Sequence, residues 1–119
     1  MKGSNRRPDQ VAEVVRQVVA DALLTELRDP RIGFVTVTEV QVTNELSVAT
    51  VRVSVMGDEA EQARALEGLN SAAGFLRGKL GKAVTTRLVP EIRFELDLGL
   101  QHAARINQIL GEIRREQGD

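Results

Sequence analysis

Four cations stand in this chain with no acid to answer them. From Gly68 to Pro90 the sequence carries Arg77, Lys79, Lys82 and Arg87 and neither aspartate nor glutamate. Cations so placed can neutralise successive phosphates of a nucleic-acid backbone and release its condensed counterions. Alone, a charge run is ordinarily a solvated helix face. This one gains weight from what precedes it. Leu66, Leu69, Ala73, Leu76, Leu80 and Val84 follow steps of three and four, one face of an amphipathic helix over Glu59 to Val84. Ala72-Ala73-Gly74 interrupts its middle. Glycine inside a helix costs roughly 1 kcal/mol relative to alanine, so it marks a kink, a close contact or a cap. A bend is expected there, with Gly74 small because helices approach closely or the backbone is unusual. Phe75 falls off the apolar face, and a bend would turn it from water toward a packed surface. Two helical segments meeting at such a bend can direct dipoles and N–H groups at phosphate.

Catalytic readings are poor. His102 is the sole histidine and falls among the apolar positions of a C-terminal helix, as a packing residue. No serine or threonine has an evident base partner. Asp9, Asp21, Glu26 and Asp29 read as helix-end and surface charges rather than a carboxylate pair. There is no cysteine, which excludes disulfides, thiolate metal sites and a thiol nucleophile, and is compatible with a reducing cytoplasm. Zinc would need several carboxylates, an uncommon arrangement. No cofactor or metal is expected. Without tyrosine or tryptophan, a platform for stacking single-stranded bases is not expected either.

The chain has 119 residues, one domain's worth, and a net charge of −1. It is no polycation, so nucleic-acid binding must rest on where the charges sit. They are segregated: Asp58 to Glu67 holds four acids and one base, immediately before the acid-free stretch. No segment is apolar and long enough for a membrane span, and no signal-peptide h-region opens the chain.

The elements that must position these residues follow from periodicity. Residues 1–7 read as a polar, flexible arm carrying Arg7. Pro8 suits the first turn of a helix, and Val11, Val14, Val15, Val18, Val19, Ala22, Leu23 and Leu27 form its stripe. Asp29-Pro30 is expected to stop it. Phe34 to Thr43 reads as a strand whose alternation slips between Val37 and Val40, which a β-bulge near Thr38-Glu39 would reconcile. After a turn at Asn44-Glu45, Leu46 to Met56 forms a second strand with one wet face. Gly57-Asp58 ends it and can cap the interrupted helix. Glu91 to Asp97 forms a third strand behind Pro90. Ile106, Ile109, Leu110 and Ile113 mark a last helix that should pack. The result is a two-layer α+β domain over residues 8–98, with residues 99–119 as a C-terminal helix and short tail.

Two short motifs are ambiguous. Gly78-Lys79-Leu80-Gly81 matches the GxxG loop of KH domains, but the following helix is missing, so these glycines are better placed within a helix. Asp29-Pro30-Arg31 is either a local ion pair or a rigid mount for Arg31 on phosphate.

Taken in order, several segments resemble the bacterial ribosome-binding factor A family. They are Arg7-Pro8, Leu27-Arg28-Asp29-Pro30-Arg31-Ile32-Gly33, Val35-Thr36-Val37-Thr38, Ala49-Thr50-Val51-Arg52-Val53, Ala72-Ala73-Gly74-Phe75-Leu76-Arg77 and Val89-Pro90-Glu91-Ile92-Arg93-Phe94. The resemblance runs from about Arg7 to Arg114. It implies a KH-like domain of the second topological type, α-β-β-α-kink-α-β, in which an Ala-x-Gly kink, here Ala72-Ala73-Gly74, replaces the GxxG loop. It implies a non-catalytic assembly factor that binds the small ribosomal subunit near the neck and decoding region of its rRNA. Such a factor assists late rRNA processing and maturation and supports growth in the cold. Combined with the charge run, the expected RNA-contacting residues are Arg7, Arg31, Ala72, Ala73, Gly74, Arg77, Lys79, Lys82 and Arg87. The protein is expected to be cytoplasmic and monomeric when free. The alternatives are a generic KH-type module for single-stranded RNA, and a protein-interaction domain without RNA contact, which the near-neutral charge favours.

Overall fold

The computed structural model describes residues 2–99 and Leu110. Nearly all of the expected C-terminal helix, including His102, lies outside them. Six elements follow one another: α1 (Lys2–Thr25), β1 (Val35–Val42), β2 (Val48–Val55), α2 (Glu59–Ser71), α3 (Ala73–Ala83) and β3 (Glu91–Leu96). The strands form one sheet in the order β1-β2-β3. β1 pairs antiparallel with β2, and β3 lies parallel to β2, so α2 and α3 together make the crossover that a parallel pair requires. The fold is α+β and KH-like, as expected.

One face of the sheet is covered. α1 packs on β1 and α3, and α2 and α3 pack on β3. Val15 and Val19 of α1, Val51 and Val53 of β2, and Leu69, Leu76 and Leu80 of the helical pair are fully buried between the layers, with Ile92 and Phe94 of β3 beside them. Burying each leucine is worth roughly 1.5–3 kcal/mol, so the apolar stripe holds both helical halves on the sheet. The opposite face is wet, with Arg52 and Glu95 at one register position and 3.8 Å apart. The exposed edge of β3 is partly met by α2, where Asn70 Oδ1 accepts the Phe94 N–H at 3.3 Å.

The slipped alternation of β1 has the expected cause. Pairing with β2 shifts between Val37 and Glu39, leaving Thr38 as the bulged residue. Its hydroxyl donates to Asp97 Oδ2 at 2.6 Å, fastening the end of β3 across the sheet and holding the Asp97 carboxyl below its ordinary value. The start of α2 is closed by a full capping box. Asp58 Oδ1 accepts the Glu61 N–H at 2.8 Å, and Glu61 Oε1 accepts the Asp58 N–H at 3.0 Å. Asp58→Ala should therefore cost about 1 kcal/mol in denaturant unfolding, with no change in m-value. A loss below a few tenths would mean that water replaces the cap.

Other boundaries differ from the periodicity. α1 begins at Lys2, so Pro8 lies inside the helix and residues 2–7 are helical rather than a flexible arm. α1 ends at Thr25, before Asp29-Pro30 is reached. There the Thr25 hydroxyl donates to the Asp21 carbonyl at 2.8 Å, and the Leu27 N–H closes on the Ala22 carbonyl at 2.8 Å. The β1–β2 turn is also wider than Asn44-Glu45. Leu46 sits in the left-handed region at φ 60 with its side chain buried, so core packing offsets a backbone state that leucine disfavours.

Candidate nucleic-acid interface

The two helical halves meet at Ala72, where the bend was expected. Its φ of −87 and ψ of −4 keep it near-helical, and its N–H donates to the carbonyls of Gly68 at 3.2 Å and Leu69 at 3.0 Å. The same residue starts α3, and no side chain caps that start. The positive end of α3 therefore opens at Ala73-Gly74, a geometry suited to an anion. Gly78 and Gly81 lie within α3, so the GxxG pattern is helical here and forms no loop.

The glycine that the packing requires is Gly68, not Gly74. A Cβ on Gly68 would stand 2.9 Å from Ile32 Cγ1, 3.3 Å from Arg31 Cβ and 3.3 Å from Asp29 Oδ2. A Cβ on Gly74 would meet nothing within 4 Å, and its φ is not positive. The expected crowding at Gly74 is thus corrected: nothing among the described residues needs a glycine there. Phe75 is corrected as well. The kink does not pack it, and it remains 52% exposed. Lys79 Nζ lies 5.6 Å from its ring centroid, a cation–π contact.

The nine expected contact residues divide by what already holds them. Arg31 is committed internally. Its Nε donates to Asp29 Oδ1 at 3.0 Å, Nη2 to Asp29 Oδ2 at 2.6 Å, and Nη1 to Glu67 Oε1 at 3.0 Å. It clamps the Asp29-Pro30-Arg31 turn onto α2 beside Gly68, which is the ion-pair reading of that motif. Arg77 is a brace: its Nη2 and Nε donate to the Val89 carbonyl at 2.9 and 3.2 Å, ordering the loop before β3. Lys79 is half-buried and pairs with Glu26 just after α1 at 2.5 Å, so it does not simply point into water. Lys82 and Arg87 are exposed and form no ion pair among the described residues. Arg7 is exposed too, one turn before the Gln10–Val11 part of α1 that borders Val84 to Thr86. The structure thus gathers Arg7, Lys82 and Arg87 toward one end of α3, with the kink at its other end. Arg31 lies apart, beneath α2. Only tertiary structure separates these roles, because all of these cations look alike in the sequence.

The Arg31 clamp has a pH signature. Hydrogen bonds from the Arg31 side chain and backbone pull the Asp29 carboxyl down to about 2 from 3.8, and Arg31 itself is held above its ordinary value. A carboxylate depressed by folding adds stability that is complete above the unfolded value and lost as pH falls through the folded one. Stability measured from pH 4 down to pH 2 should therefore fall less steeply in Asp29→Asn than in the parent. Parallel curves would show that the clamp contributes nothing.

Known proteins share this chain's pattern. A family model described as Ribosome-binding factor A matches residues 7–110. A Desulforamulus reducens protein of that name is 42% identical over 113 residues, 95% of this chain and 94% of the relative. A Rhodopirellula baltica protein of that name is 45% identical over 114 residues, 96% of this chain and 83% of the relative. Among solved structures, the solution NMR structure of a Thermotoga maritima ribosome binding factor A superposes with a TM-score of 0.69 at 35% identity, covering 78% of this chain and 89% of that one. A Thermus thermophilus ribosome binding factor A model, fitted into the cryo-EM map of its 30S complex, superposes with a TM-score of 0.56 at 25% identity, covering 76% of this chain and 91% of that one.

Proposed function

This chain belongs to the ribosome-binding factor A family, and on that premise we propose that it binds the small ribosomal subunit through rRNA. In this reading the kink and the cationic end of α3 lie against the RNA backbone. The carrying observation is the acid-free stretch after an uncapped kink, in which Lys82 and Arg87 form no ion pair among the described residues. The Thermus relative fitted into a 30S complex supports the small subunit as the partner. The contact falls near the neck and decoding region of the rRNA. The protein is a non-catalytic, monomeric, cytoplasmic factor that assists late processing and maturation of that RNA and supports growth in the cold. Recognition is by shape and backbone, because the face offers cations and helix amides. Arg7, Lys82, Arg87 and the Ala72-Ala73-Gly74 kink make the contact. Arg31, Arg77 and Lys79 hold the surface in place.

Gly74 supplies the test. Since its Cβ direction is empty, Gly74→Val should leave thermal stability within about 1 kcal/mol of the parent. It should nonetheless weaken binding to purified small subunits, because the added methyls stand where RNA approaches. Free single-stranded RNA should compete poorly for either protein. Full binding by the variant would remove the kink from the interface. Equal preference for free RNA would favour a generic single-stranded RNA module.

A further inference from the structure

Phe34 and Met56 face one another just past the paired ends of β1 and β2, where the Met56 N–H donates to the Phe34 carbonyl at 3.1 Å. They are 82% and 75% exposed. Single apolar side chains on a surface are ordinary, but adjacent ones beside a recess are not. Pro30, Gly33 and Val55 join Met56 in lining a cavity of about 110 Å³ at this spot. Neither exposed side chain serves the core.

The charges around this patch reverse those of α3. The flanking segments, Asp29–Gly33 and Asp58–Gly68, carry the carboxylates of Asp29, Asp58, Glu59, Glu61 and Glu67 against the guanidinium groups of Arg31 and Arg64. Arg31 is already neutralised by Asp29 and Glu67. Arg64 lines the recess beside Arg31 and Glu61, and the excess of carboxylates lies in the two segments as a whole, five against two. A phosphate backbone long enough to cross these flanks would meet their net negative charge, so RNA is disfavoured. A polypeptide rich in lysine and arginine, with an apolar anchor for the recess, satisfies both features.

We propose that Phe34, Met56 and the acidic start of α2 form a second docking surface, for a basic protein segment of the small subunit. It rests on the subunit binding proposed above. The two faces would then sort the components of one particle, RNA at the cationic end of α3 and basic protein at the Phe34–Met56 end.

The experiment places a benzophenone amino acid at Phe34 or, as a reference, at Lys82. Each protein is bound to purified small subunits, irradiated, and its adducts identified by mass spectrometry and RNA mapping. The proposal expects the Phe34 probe to label a ribosomal protein, within a lysine- or arginine-rich segment, while the Lys82 probe labels rRNA. Met56→Lys, which removes the apolar anchor and repels a basic segment, should lower subunit affinity at least tenfold with unchanged melting. A Phe34 adduct only on rRNA, an adduct within or between copies of this chain, or no adduct while the Lys82 probe still labels rRNA would overturn it. So would full affinity in Met56→Lys. If neither probe labels the subunit and the parent does not sediment with it, subunit binding fails, and this surface with it.

Discussion

Gly68→Val is expected to cost roughly 1–3 kcal/mol or more, a large share of the 5–15 kcal/mol that holds a typical domain together. The first added carbon already meets Ile32 Cγ1 at 2.9 Å, and the turn that would have to retreat is pinned by the Arg31–Asp29–Glu67 cluster. Gly68→Ala brings the same clash with less bulk and regains about 1 kcal/mol of helix propensity, so its loss should be smaller. Thermal melting of the two variants beside Gly74→Val checks this. A Gly68→Val protein that melts like the parent would show that the turn yields freely and that its packing on α2 holds little.

The second large effect is on binding. Lys82→Glu with Arg87→Glu should leave melting nearly unchanged, because both side chains are exposed and unpaired among the described residues. Affinity for small subunits should fall roughly ten- to a hundredfold at low salt. The salt slope should become shallower by about one unit for each phosphate that the variant no longer neutralises. Lys79→Glu should behave differently. It breaks the ion pair to Glu26 and places two carboxylates together between α1 and α3, so stability falls along with binding. Titrations at several salt concentrations, with melting curves for each variant, separate the cases. Equal affinity in the double variant would return Lys82 and Arg87 to the solvated face of a structural helix.

What was legible in the sequence is what periodicity and local chemistry encode. The parity slip between Val37 and Val40 located the bulge near Thr38-Glu39 because alternation reports the pleat directly. Asp58 announced a helix start by its residue type, and the structure adds Glu61 as its reciprocal partner. The break near Ala72 followed from a run of small residues in an otherwise regular stripe. Partnerships between distant residues were not legible. Nothing in the pattern says that Lys79 meets Glu26, that Arg77 braces Val89, or that Glu67 joins the Asp29–Arg31 pair. The expectation placed on Gly74 failed for the same reason. Gly74 sits at the break and looks constrained, whereas Gly68 sits mid-helix and is crowded by a turn far earlier in the chain. The end of α1 at Thr25 was missed as well: the Thr25 hydroxyl and the Leu27 N–H close on carbonyls one turn back, and the apolar spacing that continues to Leu27 does not register that closure.

Whether this protein holds the small ribosomal subunit through a localised cationic face is decided by sedimentation with purified small subunits in excess, over a salt series. The protein should travel with the subunits at low salt and be released progressively as salt rises. Protein that stays free at the lowest salt, with subunits in excess, would contradict that binding.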